Sequence, residues 1–278
     1  MDKAKLDDIE TGLFLEALYQ RYGYDFRHYA QASLNRRMHG ITAAAGCRSV
    51  SELIPRLLHD ESYLNELLSQ LSVPVTEMFR DPEVFLTLRQ KVLPVLATFP
   101  RVNIWQAGCA TGEEIYSLAI LLEEEGLLNR TQIYATDIND TALQIAEDGI
   151  FSTRLLDEYQ RNYLAAGGKS NLADYCTDSK DFFRVHERFR RKIVFAHHNL
   201  VSDGVFCEVQ LILCRNVLIY FDNILQKHVL ELFHESLSRG GMLCLGTRES
   251  IRTVASERLF TVLDREAMIF HKTEQTSQ

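Results

Sequence analysis

No stretch of the 278 residues approaches the ~20 consecutive apolar positions that a membrane-crossing helix needs. The opening residues, MDKAKLDDIETG, have no apolar core of the secretion-signal type, so a cytoplasmic protein without membrane insertion is expected. Cys47, Cys109, Cys176, Cys207, Cys214 and Cys244 are scattered and form no C-x-x-C pair. That spacing argues against a metal site or a disulfide framework and for buried, reduced thiols. Positive charge is in deficit: the net charge of −8 disfavours nucleic acid and anionic membranes as partners of the whole molecule. Two local basic stretches remain, Arg36-Arg37 and Arg184 to Lys192. Strand-like β-branched runs are missing before Ser72, and no internal repeat is evident.

What is there divides the chain in two. Phe14, Leu15 and Leu18, and again Leu64, Leu67, Leu68 and Leu71, recur at helical spacing. From Asn103 onward short apolar runs alternate with helical patterns: VNIWQA, QIYAT, KIVFAHHN, VQLILC, GMLCLGT, then LFTVL and AMIFHK as a closing hairpin around DRE. This alternation predicts a mostly parallel sheet with helices on both faces. A helical domain over residues 1–72, a linker over 73–100 and an α/β domain over 101–278 are expected, with an insertion at about 154–191 where the pattern weakens.

The sequence QAGCATGEE, from Gln106 to Glu114, lies where the first strand of such a sheet turns into a helix. Ligands of open α/β sheets bind at that kind of turn, and Gly108 and Gly112 allow backbone to approach one closely. A phosphate loop requires a lysine, and this loop has none. A dinucleotide turn sets a pyrophosphate over the helix N-terminus, where Glu113 and Glu114 would repel it. A sulfonium cofactor such as S-adenosylmethionine, which is cationic and carries no phosphate, suits the loop better. Asp137, at the end of the next strand in YATDIN, is spaced to accept hydrogen bonds from ribose hydroxyls. Two blander readings compete: Thr111 and Glu114 as a capping box, and Asp137 as a helix cap. His197 and His198, as strand neighbours, point to opposite faces and are read as packing residues; Trp105 is read as core.

The segments VTEMFRDPEVF, TGEEIYSLAI, YATDIN, HHNL, LILCRNVLIYF and LFTVLDREAMIFHK occur together and in order, and the sequence resembles the CheR-type methyltransferases, which esterify glutamates of bacterial chemoreceptors. The resemblance implies a doubly wound, seven-stranded, mostly parallel methyltransferase sheet with an inserted small β-subdomain, preceded by an all-α domain. It implies S-adenosylmethionine as cofactor and S-adenosylhomocysteine as product. By the same resemblance Thr76, Arg80, Gly108, Gly112, Glu114, Asp137, Asn199, Leu200, Arg215 and Asn216 are cofactor-site positions. Arg80, Arg215 and Tyr220 surround the place where carboxylate meets methyl. Arg36 and Arg37 correspond to a receptor-contacting basic helix. The chain departs from the family at Pro74, where asparagine is frequent, and at Met78, where phenylalanine is.

The implied reaction displaces a sulfonium methyl with a carboxylate oxygen. A glutamate with a pKa near ~4.3 is already ionised at neutral pH, so positioning rather than a general base is required. The arginines are therefore assigned to orientation and to the cofactor carboxylate, and Tyr220 to hydrogen bonding near the methyl. The expected partner is the cytoplasmic helical domain of a chemoreceptor, the enzyme acting as a monomer. AAGGKSN holds only Gly167 and Gly168, which favours an enzyme that does not dock a receptor's C-terminal peptide on the insertion. An adenine-N6 methyltransferase of nucleic acid would carry a [DNS]-P-P-[YF] strip that RNVLIY lacks, and the negative net charge also disfavours that class. A non-catalytic cofactor-binding signalling module, or a methyltransferase acting on another protein, remains the alternative.

Overall fold

The computed structural model describes residues 2–72, 76–249, 251 and 258–274; Pro74 lies outside them. The N-terminal unit is made of α1 (Lys3–Tyr22), α2 (Gln31–Ala44), α3 (Ile54–His59) and α4 (Tyr63–Leu71). Phe14, Leu15 and Leu18 of α1 meet Leu34, Met38 and Ile41 of α2 and Leu67, Leu68 and Leu71 of α4 in one buried cluster. The helical spacing noted in the sequence is the spacing of that core.

The stretch expected as a linker is mostly helix. After Asp81 the chain forms α5 (Pro82–Thr87), a π-helical stretch over Leu88–Val92 and α6 (Leu93–Leu96). Phe85, Leu88, Val92 and Leu96 are fully buried in the main core. Pro82 starts the first of these helices, where its missing N–H costs nothing.

The sheet runs β1 (Val102–Ala107), β2 (Thr131–Asp137), β6 (Ile193–His197), β7 (Val209–Cys214), β8 (Leu237–Leu245), β9 (Phe260–Asp264) and β10 (Ile269–Lys272). Its order is β6-β2-β1-β7-β8-β10-β9, with β10 antiparallel to both neighbours and the other pairings parallel. Alternate residues of each inner strand serve opposite faces. Ile104, Leu211, Leu213, Met242 and Cys244 join the cluster that contains α7 (Glu113–Glu124). Trp105, Ile212, Cys214, Leu243 and Leu245 join the one that contains α11 (Asn223–Ser236). The expected doubly wound sheet of seven strands is observed, and these near-continuous apolar runs are what burial on two faces demands.

Helix α8 (Asp140–Asp148) ends at Gly149, and a separate antiparallel sheet follows at once: β3 (Ile150–Ser152), β4 (Cys176–Asp178) and β5 (Phe182–Val185), in the order β3-β5-β4. Helices α9 (Leu156–Ala165) and α10 (Glu187–Arg190) flank it. The small sheet thus begins four residues before the expected start at 154. The glycines of AAGGKSN follow α9 and are not in its strand turn: the β4–β5 connection is Ser179 to Asp181, without glycine. Gly167 and Gly168 therefore say nothing about an edge of this sheet.

Candidate functional site

A cavity of about 340 Å³ opens at the carboxyl ends of β1, β2 and β7. The loop after β1 supplies Gly108, Cys109, Ala110 and Glu114, the end of β2 supplies Asp137 and Ile138, and the segment after β7 supplies Arg215, Asn216 and Tyr220. Thr76 and Arg80 enter from the approach to α5, and His198, Asn199 and Leu200 from the turn after β6. The structure brings these sequence-derived positions to one cavity wall. Gly112 is the exception. It starts α7 with φ +96, and a Cβ there would lie 2.8 Å from Ala146 Cβ on α8. Gly112 serves helix packing and is not in the cavity lining. At Gly108, with φ +72, a Cβ would come within 2.5 Å of the Val217 side chain, itself part of the lining.

Beneath the cavity lies a buried ion network. The Arg215 guanidinium, its side chain 1% exposed, donates to Glu114 Oε2 and to Asp81 Oδ2, the latter at 2.6 Å. Gln106 donates to the other Glu114 oxygen at 2.7 Å. Burial works against the Arg215 charge, but Glu114 and Asp81 overcome it and hold its pKa above the ordinary guanidinium value. Two readings are corrected here. Glu114 forms no capping box, because Gly112 occupies the N-cap of α7 and Thr111 bonds Glu113 instead. The loop glutamates also do not ring the cavity with negative charge: Glu113 is not in the lining, and Glu114 is neutralised by Arg215. The argument against a pyrophosphate from repulsion by these two acids therefore loses its basis. Arg215, its two terminal nitrogens already bonded to carboxylates, is a structural clamp more than a steering group.

Asp137 is not the cap of α8; Asn139 is, accepting from Ala142 N at 3.1 Å. Asp137 takes Ala110 N at 2.9 Å on one oxygen and Asn139 N at 2.9 Å on the other. Burial raises its pKa, and those amide bonds oppose the rise. The first of them holds Ala110 at φ +48. Phe79, Asp81 and Asn216 also have positive φ, at 52°, 53° and 61°. Four strained non-glycine residues thus sit in or beside one cavity, where such strain costs about 1–3 kcal/mol each and has to be held by its surroundings.

Several site residues were not legible beforehand. Glu249, just after β8, accepts from Gly246 N at 2.6 Å, Asn216 N at 3.0 Å and Ile219 N at 3.3 Å, so it shapes the segment that carries Arg215 and Tyr220. Burial pushes its carboxyl up, and these amide bonds pull it back. The helical unit contributes Tyr29 and Ser72 to the lining. Arg37 is not displayed as a receptor contact: its guanidinium lies 4.6 Å from the Tyr220 ring centroid and donates to the Leu71 carbonyl. Arg36 is exposed. His197 bonds Asp140 at 2.9 Å, whereas His198 is buried against Trp105 and Phe206, so the two do diverge.

Whether a sulfonium nucleoside fits can be tested on the unpaired groups. Gln106 Oε1, Asn216 Oδ1, His198 Nδ1 and Arg215 Nε are buried without a partner, and all four residues line the cavity. Arg80 makes no ion pair or hydrogen bond among the described residues. Two amide oxygens want donors, as an α-ammonium provides, and Arg80 wants an anion, as an α-carboxylate provides; buried polar groups left unpaired are costly. The fit is good.

Fold and cavity together define the class: an α/β methyltransferase that binds S-adenosylmethionine. Residues 74–269 match the family described as "CheR methyltransferase, SAM binding domain", and residues 9–72 match "CheR methyltransferase, all-alpha domain". The chain belongs to the CheR methyltransferase family. A Pseudomonas putida protein named "Putative methyltransferase Cher3" is 47% identical over 98% of this chain and 100% of its own length. "Chemotaxis protein methyltransferase" of Listeria monocytogenes is 29% identical, covering 90% of this chain and 93% of that protein. Among solved structures, the N-methyltransferase NodS of Bradyrhizobium japonicum in complex with S-adenosyl-l-homocysteine aligns over 71% of this chain and 89% of its own, at 15% identity and a TM-score of 0.39. The glycopeptide N-methyltransferase MtfA, of which this chain spans 50%, gives a TM-score of 0.36 at 8% identity over 61% of this chain. Among the described residues no helix is long and apolar enough to cross a membrane.

Proposed function

We propose that the chain transfers the methyl group of S-adenosylmethionine to glutamate carboxylates on the cytoplasmic helical domain of a chemoreceptor, giving glutamyl methyl ester and S-adenosylhomocysteine. One observation carries the reading: among the described residues, both carboxylates lining the cavity are already engaged, Glu114 by Arg215 and Gln106 and Asp137 by two backbone amides. Such a site offers orientation and charge but no free carboxylate base, which suits a nucleophile that arrives ionised. Names of relatives such as the Listeria protein support the chemotaxis setting.

When bound, S-adenosylmethionine supplies an electrophilic methyl on a sulfonium sulfur. Arg80 would take the amino-acid carboxylate of the cofactor, and Gln106 and Asn216, whose amide oxygens are unpartnered, would take its ammonium. Asp137 has a lone pair left on each oxygen for ribose hydroxyls. Tyr220 lines the cavity, its hydroxyl has no partner among the described residues, and it would be available to hydrogen-bond near the methyl. The carboxylate acceptor would arrive already ionised, so the residues of the site would have to orient it and would not have to remove a proton. Arg36, exposed on α2, would be free to meet an acidic receptor surface.

The test is transfer from tritiated S-adenosylmethionine to a soluble chemoreceptor cytoplasmic fragment. A glutamyl ester releases the label as volatile methanol in mild alkali. Label that stays on the protein after alkali places the methyl on nitrogen and rejects the reading.

A further inference from the structure

On α2 the buried positions are Leu34, Met38 and Ile41. Arg37 follows Leu34 by three residues and so lies on the flank of this buried face, whereas Arg36, two residues after Leu34, points away from it. The flank of α2 meets the segment that carries Tyr220. There the main chains pair: Ala30 N donates to Tyr220 O at 2.7 Å, Asp222 N donates to His28 O at 2.8 Å, and Tyr29 bridges Phe221 in antiparallel fashion. The rings of Tyr29 and Phe221 meet edge-on at 5.0 Å between centroids. Tyr220 is therefore held by its backbone from the helical unit, and Arg37 covers its ring from the same unit. The other end of the Arg37 guanidinium bonds Leu71 O at the end of α4, one residue before Ser72, which lines the cavity.

We propose that Arg37 is a positioning residue of the cofactor site: it fixes the Tyr220 ring against the cavity and ties it to the end of α4, from which the chain leads to Thr76 and Arg80. The proposal rests on the reading above that Tyr220 contacts the bound cofactor. The planar guanidinium is suited to the task because it stacks on a ring with its face while donating in its plane to a carbonyl. A lysine in the same place has no planar face to lay on the ring and no fixed fork to aim at the carbonyl. A methyltransferase arranged in this way contains its helical unit as part of the catalytic wall, so the unit is more than a receptor-docking accessory.

A double-mutant cycle on S-adenosylhomocysteine affinity, read by calorimetry on the full chain, tests the proposal without any acceptor. Arg37→Ala and Arg37→Lys are each expected to weaken binding about fivefold, and Tyr220→Leu about tenfold, the range a desolvated cation–ring contact supports. In the Tyr220→Leu background, Arg37→Ala should add nothing, because its effect runs through the ring. Arg48→Ala, at an exposed arginine of the helical unit, should bind as wild type does, and melting temperatures recorded alongside identify any variant that has simply unfolded; Arg37→Lys keeps the charge and guards against that outcome. Additive losses, or Arg37→Ala and Arg37→Lys both at wild-type affinity while Tyr220→Leu binds weakly, would overturn the role of Arg37 alone. Wild-type affinity in Tyr220→Leu would remove Tyr220 from the cofactor site and the proposal with it.

Discussion

The floor and the wall of the cavity are built on different principles. The floor is a closed set of charges in which Arg215 lies between Glu114 and Asp81 and Gln106 completes Glu114. The wall contributed by the helical unit, Tyr29 and Arg37 against Phe221 and Tyr220, is aromatic with one cation laid over it. Arg80 stands between them with no partner among the described residues. The ion pairs of the floor are therefore made before any ligand arrives, and Arg215 and Glu114 are expected to govern stability, with Gln106 Oε1 left open for a ligand. The wall and Arg80 become complete only with a ligand, and their residues are expected to govern affinity. Three arginines within one site thus have three distinct jobs.

Substitutions can break that contrast. The largest effect belongs to Arg215→Met. It leaves Glu114, whose side chain is 6% exposed, as a buried unpaired carboxylate, and such a loss costs about 3–5 kcal/mol. Urea unfolding is expected to show it with or without cofactor. Arg80→Ala is the opposite case. Stability should stay within about 0.5 kcal/mol, whereas S-adenosylhomocysteine affinity in calorimetry should fall roughly tenfold to a hundredfold, the worth of a charge-assisted hydrogen bond. If both variants lost stability equally, floor and wall would not differ in kind. Gly112→Ala separates loop geometry from ligand contact: its φ of +96 and the 2.8 Å approach to Ala146 Cβ should cost about 1–3 kcal/mol in thermal unfolding, with the remaining folded protein binding cofactor nearly normally.

The smallest effect concerns a residue outside both regions. His234 on α11 is buried, its Nε2 pairs with the Thr273 carbonyl at 3.2 Å, and burial depresses its pKa below the ordinary 6.5. The unfolded chain then binds the proton more readily than the folded one. Stability from this residue is fully present above the unfolded value and is lost as pH falls through 6.5 toward the folded one. His234→Gln should flatten part of the fall in melting temperature between about pH 7.5 and about pH 5.5 without altering cofactor affinity.

The sequence made some of this plain and hid the rest for physical reasons. The inner strands could be read because burial on two faces forces near-continuous apolar runs such as VQLILC and GMLCLGT. The turn after β1 could be read because its glycines at positive φ sit between a strand pattern and a helix pattern. Partners of the floor could not be paired: Glu114 and Asp81 lie 101 and 134 residues from Arg215 in the chain, and no local periodicity links them. Glu249 was overlooked because a carboxylate that serves only backbone amides leaves no side-chain motif. The contact of Arg37 with Tyr220 was not foreseen, although a signal existed. The spacing of Leu34, Met38 and Ile41 sets it on the flank of a buried face and Arg36 on the exposed one. The segment expected as a linker is helical from Pro82 to Leu96, with Pro82 in its first turn and Pro94 just after the π-helical stretch.

The account depends most on what the cavity holds. Titration of the full chain in a calorimeter, once with S-adenosylhomocysteine and once with a nicotinamide dinucleotide, addresses this directly. The prediction is single-site binding of the first, weakened by Arg80→Ala, and no heat from the second. Tight binding of the dinucleotide with no heat from S-adenosylhomocysteine would contradict it.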